Sequence, residues 1–457
     1  MASSLMRIIP LWERIDKLII LPKKWLESKT LSRNPVIRFG HRKLRATLRS
    51  HSRSAQSIYL SQGLIEELSI PYTDPILIRE EEGELVLGPL VGIVTYGVSD
   101  DPFDLQKRRF LRILRSLLNP MHPKFPGGFY FLFDYQDVNW DDLTVKGYFY
   151  RPHGKLGIWE MKEVPFPDVI YNKILSRKLE DSPDVKRFFE LLYTRTRSQI
   201  FNEAYFQKWD IYQRLSAFEN LREMIPETYL NPTVGQVEEM LDRYPMLYLK
   251  PSNGLLGLGI YQVLRQGRGI RVRYRLHDRN LSKVYPSVRA FFYEAFPERK
   301  RRKYVVQQGI PLMRLDDDPV DFRVHLNKNR RNRWVVTGVG AKKAGKGSVT
   351  THIRAGGKAL EARQVLNQFF SEQGEEMYQR LCETAVAVAI ALERSLQKPI
   401  GELGLDLGID WNGKIWLFEA NSKPGRSIFE KIEELRAESF KPLQHISEYM
   451  LYLSRFA

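Results

Sequence analysis

The stretch Gly404-Leu-Asp-Leu-Gly-Ile-Asp-Trp-Asn-Gly-Lys-Ile-Trp-Leu-Phe-Glu-Ala-Asn421 carries the decisive signal. Its Asn412-Gly413 pair sits between two runs of β-type residues, the strongest short-range mark of a hairpin. A two-residue turn there sets Asp410 opposite Ile415, Gly408 opposite Leu417 and Asp406 opposite Glu419. The two carboxylates then stand about 5 Å apart at Cβ. Asn421, two residues beyond Glu419, projects from the same face. Opposed like charges destabilise a sheet, and the neighbours here are apolar, so something must neutralise them. A hard divalent cation is one answer: Mg²⁺ takes oxygen ligands, commonly one or two carboxylates plus substrate phosphates. A solvated acidic pair, or one paired with Lys or Arg, is the other.

Upstream lies Lys250-Pro-Ser-Asn-Gly-Leu-Leu-Gly-Leu-Gly-Ile, which reads as strand, loop, strand. The glycines Gly254, Gly257 and Gly259 would let backbone N–H groups approach phosphate oxygens. No Gly-Lys-Ser/Thr closes the loop and no helix follows, so it is neither a Walker A loop nor a dinucleotide fingerprint. Alone, such a loop is more often a plain hairpin; Lys250 at the strand end strengthens the phosphate reading. Asp321-Phe-Arg-Val-His-Leu alternates, placing Asp321, Arg323 and His325 on one face of a strand. Arg323 could grip a phosphate with two N–H groups. His325 reads as a hydrogen-bonded neighbour rather than a catalyst. The cluster Glu298-Arg-Lys-Arg-Arg-Lys303 reads as a solvated loop.

Composition bounds what remains. The chain has 457 residues, 43% of them hydrophobic, with 30 Gly and 25 Pro, an ordinary globular balance. At roughly 150 residues per domain it holds about three folding units. The net charge of +17 favours an anionic partner. Nucleic acid rests on that charge alone, without interleaved aromatics, and is not expected. The single cysteine, Cys382, excludes an intrachain disulfide and any Cys-based metal cluster. It lies in an Ala-rich apolar helix and reads as a small core residue. The short apolar stretch Leu18-Ile-Ile-Leu-Pro is hemmed in by charges and is no signal peptide. No apolar run is long enough to span a bilayer, so an intracellular, cytoplasmic protein is expected.

The organisation reads as three units. Residues 1–88 are basic, with short β-type runs such as Val36-Ile-Arg-Phe, Ser57-Ile-Tyr-Leu and Ile76-Leu-Ile, as in a small antiparallel sheet. Residues 89–200 read as an α/β unit: a buried strand at Leu90-Val-Gly-Ile-Val-Thr, a helix over Asp104–Leu118, a second apolar strand from Gly128, a hairpin-like region 145–162 and a strand at Pro167-Asp-Val-Ile-Tyr. Residues 201–457 carry helices at Phe206–Leu221, Val234–Arg243 and Gly374–Gln397, strands at Val305–Ile310, Asp321–Leu326 and Trp334–Val339, and a return to helix over Ile428–Phe456.

Lys250-Pro with its glycine loop, Val305-Val-Gln-Gln-Gly-Ile, Asp321-Phe-Arg, Asp406 and Glu419-Ala-Asn-Ser-Lys-Pro-Gly resemble, in that order, the motifs of the ATP-grasp superfamily. More closely, the chain is similar to the YheC/YheD family of endospore coat-associated ATP-grasp proteins. Phe166-Pro-Asp-Val-Ile-Tyr-Asn, Asn202 through Lys208-Trp, Gly340 to Gly357 and Gly401-Glu-Leu-Gly-Leu-Asp-Leu-Gly-Ile-Asp carry that likeness. It covers about residues 85–430. The resemblance implies an α+β fold in which two subdomains, 201–310 and 311–457, grip ATP. An α/β pre-ATP-grasp domain, 89–200, and the small basic β-rich unit, 1–88, would precede them.

The resemblance further implies that Lys208 and Lys250 contact phosphates or the adenine edge. The loop 253–259, with Asn253, Gly254, Gly257 and Gly259, would close over the triphosphate. Gln307, Gln308, Gly309 and Ile310 would read adenine, and Asp321 would join this nucleotide set. Asp406, Glu419 and Asn421 would hold Mg²⁺, with Arg323 and Arg354 beside the transferring phosphate as catalytic groups. Two positions depart from the pattern. Many such ligases carry arginine where this chain has Gly404, and related peptide-forming ligases carry Asn where it has His352. The activity implied is an ATP- and Mg²⁺-dependent carboxylate–amine ligase with unspecified carboxylate and amine substrates. Its partners would be spore coat components or an acidic polymer. An ATP-binding coat-associated protein without turnover is the alternative.

Overall fold

The computed structural model describes residues 3–12, 17–98, 115, 117–119, 127–153, 157–252, 258–276, 279–353, 356–426, 428–436 and 441–457. Their strands form four sheets.

The first sheet has eight strands, from Ser4–Leu11 to Glu84–Gly88. Ser4–Leu11 is its seam, pairing antiparallel with Ile76–Glu81 through its first half and parallel with Ser57–Ser61 through its second. Three of the seven neighbouring pairs are parallel, so the small antiparallel sheet expected here is in fact a mixed one. Long excursions of chain between paired strands supply the crossovers that parallel pairing needs. Turn residues between short apolar runs marked the strands but not their neighbours.

The second sheet is parallel at its centre. Leu90–Thr95 lies between Phe129–Asp134 and Val169–Asn172, and Gln199–Phe201 follows at the edge. All six residues of Leu90–Thr95 and of Phe129–Asp134 are buried, as a continuous apolar run requires. Thr144–Arg151 and Ile158–Pro165 form the expected antiparallel pair. The helix expected over Asp104–Leu118 lies almost wholly outside the described residues; its end, Leu117 and Leu118, is helical and buried. The first two sheets share one apolar core, in which Phe39 meets Phe129 edge to face at 5.4 Å between ring centres.

The third sheet is antiparallel, in the order Thr228–Leu230, Tyr304–Gln308, Met246–Pro251, Tyr261–Gln266, Gly269–Leu276, Arg279–Tyr285. The helices Val234–Arg243 and Val288–Ala295 cover one face with Val237, Met240, Leu241, Phe291 and Phe292. A capping box between Thr233 and Gln236 starts the first of them.

The fourth sheet is also antiparallel, in the order Lys358–Glu361, Trp334–Lys343, Asp318–Lys328, Glu402–Ile409, Ile415–Asn421. The helix Gly374–Leu396 covers one face through Leu381, Ala385, Val388 and Leu392, spaced by three and four residues. Every residue of Glu402–Ile409 is buried. The helix expected over Ile428–Phe456 is interrupted: short turns at Phe429–Lys431 and Glu433–Arg436 precede the helix Lys441–Leu453. Pro442 is its second residue, in the first turn, where the N–H that proline lacks would have had no partner within the helix. Its Leu443, Ile446, Tyr449 and Met450 pack on the second sheet. Among the described residues no helix is long and apolar enough to cross a membrane.

A cavity of about 330 Å³ opens between the third and fourth sheets. It is lined by the face of each sheet that carries Tyr248 and Lys250 on one side and Asp321, Asp406 and Glu419 on the other.

Candidate functional site

The hairpin 402–421 brings Asp406 opposite Glu419, but by an indirect route. Its loop has three residues, Trp411-Asn412-Gly413, rather than two. The N–H of Asp410 donates to Lys414 C=O at 3.0 Å and that of Gly413 to Asp410 C=O at 3.0 Å. Gly413 takes the positive φ of +79° that ends such a loop. The Asp410 side chain fastens it, accepting from Asn412 N–H at 2.9 Å, Lys414 N–H at 3.0 Å and Trp416 Nε1 at 2.9 Å. The longer loop shifts the pairing by one: Ile409 faces Ile415, Gly408 faces Trp416 and Leu407 faces Leu417. A bulge at Phe418 then shifts it back, and Asp406 meets Glu419 while Gly404 meets Asn421. The pairings expected for Asp410 and Gly408 are therefore corrected. Phe418 turns its ring over Gly408, where a Cβ would come within 2.4 Å of it, and lines the cavity.

Charge is gathered around the two acids. Arg323, facing Asp406 from the adjacent strand, grips it with Nε on Oδ1 at 2.9 Å and Nη2 on Oδ2 at 3.1 Å. Lys342 bridges Asp406 Oδ1 at 2.9 Å and Asp321 Oδ1 at 3.0 Å. Thr351 Oγ1 donates to the other oxygen of Asp321. Glu419 Oε1 accepts from Lys208 Nζ at 2.7 Å. Burial opposes ionisation of Asp406, but Arg323 and Lys342 outweigh it and hold its carboxyl below the usual range. At Asp321 burial, helped by the Asp406 charge, wins over Lys342 and raises the carboxyl. Burial lowers the Lys342 ammonium, yet the two aspartates more than restore it.

The third sheet supplies the opposite wall. Lys250 points into the cavity with Nζ 2.6 Å from Gln307 Oε1. Burial, then the Lys208 charge, pull its ammonium down to about 8 against the acids across the cleft. Gln307 is held by Thr228 at 3.0 Å. The Gln308 side chain accepts from Glu227 N–H at 3.2 Å. Gly309 N–H donates to Met246 C=O at 2.8 Å, an approach so close that a Cβ there would lie 2.6 Å from the same oxygen.

Of the residues singled out from sequence, Lys208, Lys250, Gln307, Gln308, Ile310, Asp321, Asp406 and Glu419 all line this one cavity. Arg323 reaches it through Asp406. Gly259 stands at its rim, at a φ of +71° between the lining residues Leu258 and Ile260. Gly309, between Gln308 and Ile310, and Asn421, two residues beyond Glu419, are not among the lining residues. Asn253, Gly254, Gly257 and Arg354 lie outside the described residues. Sequence reasoning missed Lys342, Tyr248, Gln262 and Phe418, which line the cavity as well. Lys342 was within reach: pairing Trp334–Lys343 with Asp318–Lys328 and reading alternate residues puts it opposite Asp321.

Behind the cavity the same polar row runs inward. Glu402, fully buried, receives Lys173 Nζ, the Tyr171 hydroxyl and Arg426 Nη2, the last at 3.1 Å. His325 is fully buried with its Nε2 3.6 Å from Glu402, beyond hydrogen-bond reach, so it is a packed imidazole rather than the bonded neighbour expected. Burial brings its pKa to about 4, so it is neutral at physiological pH. Cys382 is half-buried, and burial pushes its thiol up to about 11, which fits a packing role.

The donor set fits a hard cation. Asp406, Glu419 and Asn421 offer only oxygen ligands. Among the described residues Glu419 Oε2 and the Asn421 amide make no hydrogen bond. No group of three or more His, Cys, Asp or Glu side chains is arranged to hold a metal among those residues, so Asn421 or ligand oxygens would have to complete the shell.

Two antiparallel sheets closing on a cavity walled by Lys250, Gln307, Asp406 and Glu419 define an ATP-grasp protein. Residues 197–453 match the family model described as YheC/D like ATP-grasp, and the chain belongs to that family. It is 33% identical over 425 residues to the endospore coat-associated protein YheD of Bacillus subtilis (strain 168), covering 92% of this chain and 90% of that protein. It is 23% identical over 305 residues to YheC of the same organism, covering 66% of this chain and 82% of that protein. Among solved structures it is similar to the D-cycloserine synthetase DcsG, with a TM-score of 0.44 and 13% identity over 78% of this chain and 99% of that one. It is also similar to D-alanyl-alanine synthetase A from Vibrio cholerae O1, with a TM-score of 0.41 and 13% identity over 80% of this chain and 98% of that one.

Proposed function

We propose that the protein is an ATP- and Mg²⁺-dependent ligase that joins a carboxylate to an amine through an acylphosphate, in association with the endospore coat. One observation carries the reading: Asp406 and Glu419, opposed across the hairpin, share a cavity with Lys208, Lys250 and Lys342. Such a cavity offers cations for a polyphosphate and carboxylates for its metal.

Asp406, Glu419 and Asn421 would hold Mg²⁺, which when bound neutralises phosphate charge and polarises the γ-phosphoryl group. The chain's own residues do the rest. Lys250 and Lys208 meet the phosphates; Lys250, with its pKa near 8, gains its proton more firmly as the anion arrives. Gln307, Gln308 and Ile310 wall the end where a base would sit. Arg323 stands where Gly404 leaves the space open: a Cβ at 404 would lie 2.7 Å from Arg323 Nη1. The guanidinium expected two residues before Asp406 along the strand is thus supplied from the neighbouring strand. There it stabilises charge on the transferring phosphoryl group. A carboxylate oxygen attacks the γ-phosphorus and ADP leaves; the amine then attacks the acyl carbon and phosphate leaves. The cavity supplies position and charge rather than a covalent nucleophile.

One observation favours the second reading, ATP binding without turnover. Both oxygens of Asp406 are already engaged by Arg323, and Oδ1 by Lys342 as well, so its charge is met within the protein. ADP release measured across a panel of carboxylate and amine pairs separates the two. Turnover that Glu419→Gln abolishes supports the ligase; tight ATP binding with no turnover on any pair supports the binding protein.

A further inference from the structure

The outer end of the third sheet is strongly basic. Between residues 265 and 289 the sequence has eight Lys and Arg against one acidic residue. Arg265 pairs with Asp242 and Lys283 with Glu294. Arg271 donates only to Gln266, and Arg268, Arg279 and Arg289 make no ion pair among the described residues. Among the described residues the last strand, Arg279–Tyr285, pairs only with Gly269–Leu276, and its residues 279–284 are all exposed. Among those residues no strand lies beside its outer N–H and C=O groups. Leu281 and Val284 are exposed on it, 37% and 53%.

This edge is continuous with the nucleotide cavity. Tyr248 pairs with Gln262, Gln262 with Arg273 and Arg273 with Ser282, so one row of side chains runs from the cavity wall to the edge strand. Arg273 lines the cavity and donates to Gly347 C=O of the opposite subdomain at 3.0 Å. Arg271 and Arg275, two residues to either side, share its face.

We propose that this edge docks an extended segment of an acidic polypeptide, which adds as a further strand beside Arg279–Tyr285. An added strand would lie about 10 Å, two strand spacings, from the Arg273 row at the cavity mouth. Arg279 and Lys283, on one face, meet alternate side chains of the segment; Val284 offers an apolar contact on the other. Polypeptide is favoured over nucleic acid by two features. Only a polypeptide main chain can complete the open ladder. On the three outer strands the face carrying Arg271, Arg273 and Arg275 also presents no aromatic ring on which a base could stack; the ring on that face, Tyr248, belongs to the cavity wall. Arg279 and Lys283 lie on the face away from the cavity, so acids bound there anchor the segment rather than enter the cleft. The proposal rests on the ligase reading only for its purpose, holding a polypeptide substrate beside the cavity mouth; docking itself needs no nucleotide.

The test is fluorescence anisotropy of the full chain with a labelled dodecapeptide of alternating Glu and Val, without nucleotide. Wild type should bind, more weakly as salt rises. The double variant Arg268→Glu, Arg279→Glu should bind at least tenfold more weakly, and Arg268→Gln, Arg279→Gln should fall between them. A peptide N-methylated at alternate residues should also lose about tenfold, because it cannot pair with the edge. Unchanged thermal melting of the variants shows that they fold. Equal binding by the charge-reversed variant, by the N-methylated peptide, or by a single-stranded oligonucleotide of the same charge overturns the proposal. Should ATP fail to bind the wild type, the nucleotide reading falls alone and these arms still decide the docking.

Discussion

Arg323 occupies the space that Gly404 leaves empty. The two residues lie on adjacent antiparallel strands, and a Cβ on Gly404 would fall 2.7 Å from Arg323 Nη1 and 2.6 Å from Pro424 Cβ. Glycine at 404 is what allows the guanidinium to lie flat against Asp406.

Gly404→Ala therefore separates packing from chemistry. Forcing one methyl into this site should cost about 1–3 kcal/mol of stability. The displaced Arg323 should also lower any ATP turnover further than Tm alone explains. Denaturant unfolding and ADP release on the same preparation check this. A variant with full turnover and wild-type stability would mean that Arg323 has slack it does not show.

Lys342→Met removes the cation between Asp321 and Asp406, both buried. Breaking such a group at neutral pH should cost about 3–5 kcal/mol. Asp321 is already raised by burial, and without Lys342 its folded pKa climbs further above its unfolded value. The folded state then binds the proton more readily, so the deficit should shrink as pH falls from about 7 to about 5. Urea unfolding at the two pH values measures it; a deficit that widens on acidification contradicts the assignment.

Lys250 gives a proton signature. Its pKa of about 8 leaves it largely neutral in the free protein at about pH 8.5 and charged at about pH 6.5. A phosphate anion beside it raises the pKa, so ATP binding should take up on the order of one proton at the higher pH and almost none at the lower. Calorimetry in two buffers of different ionisation heat detects it. Proton release at the higher pH would exclude Lys250 from the phosphate site.

Much of this architecture was legible because its signals are local. The helix Val234–Arg243 has its capping box and period, and the strands of the last two sheets have their alternation. The Asp406–Glu419 meeting was read correctly through a turn that was not. The loop is one residue longer than an Asn-Gly reversal, and the bulge at Phe418 cancels the shift. No local rule announces that bulge; its cause lies across the sheet, where Gly408 makes room for the Phe418 ring. Lys342 escaped notice because its role exists only once three strands are placed side by side. The parallel pairs of the first sheet escaped for the same reason, since partner choice is a long-range property.

On the proposed function, Asp406 and Glu419 serve a metal–nucleotide complex in this cavity. The decisive measurement is thermal unfolding of the wild type and of Glu419→Gln, each with ATP alone, Mg²⁺ alone and both. Ligand at 100 times its dissociation constant should stabilise the wild type by about 2.7 kcal/mol. That gain should appear only with ATP and Mg²⁺ together and should vanish in Glu419→Gln. An equal gain from ATP in the presence of chelator, or one that the variant keeps, would contradict it.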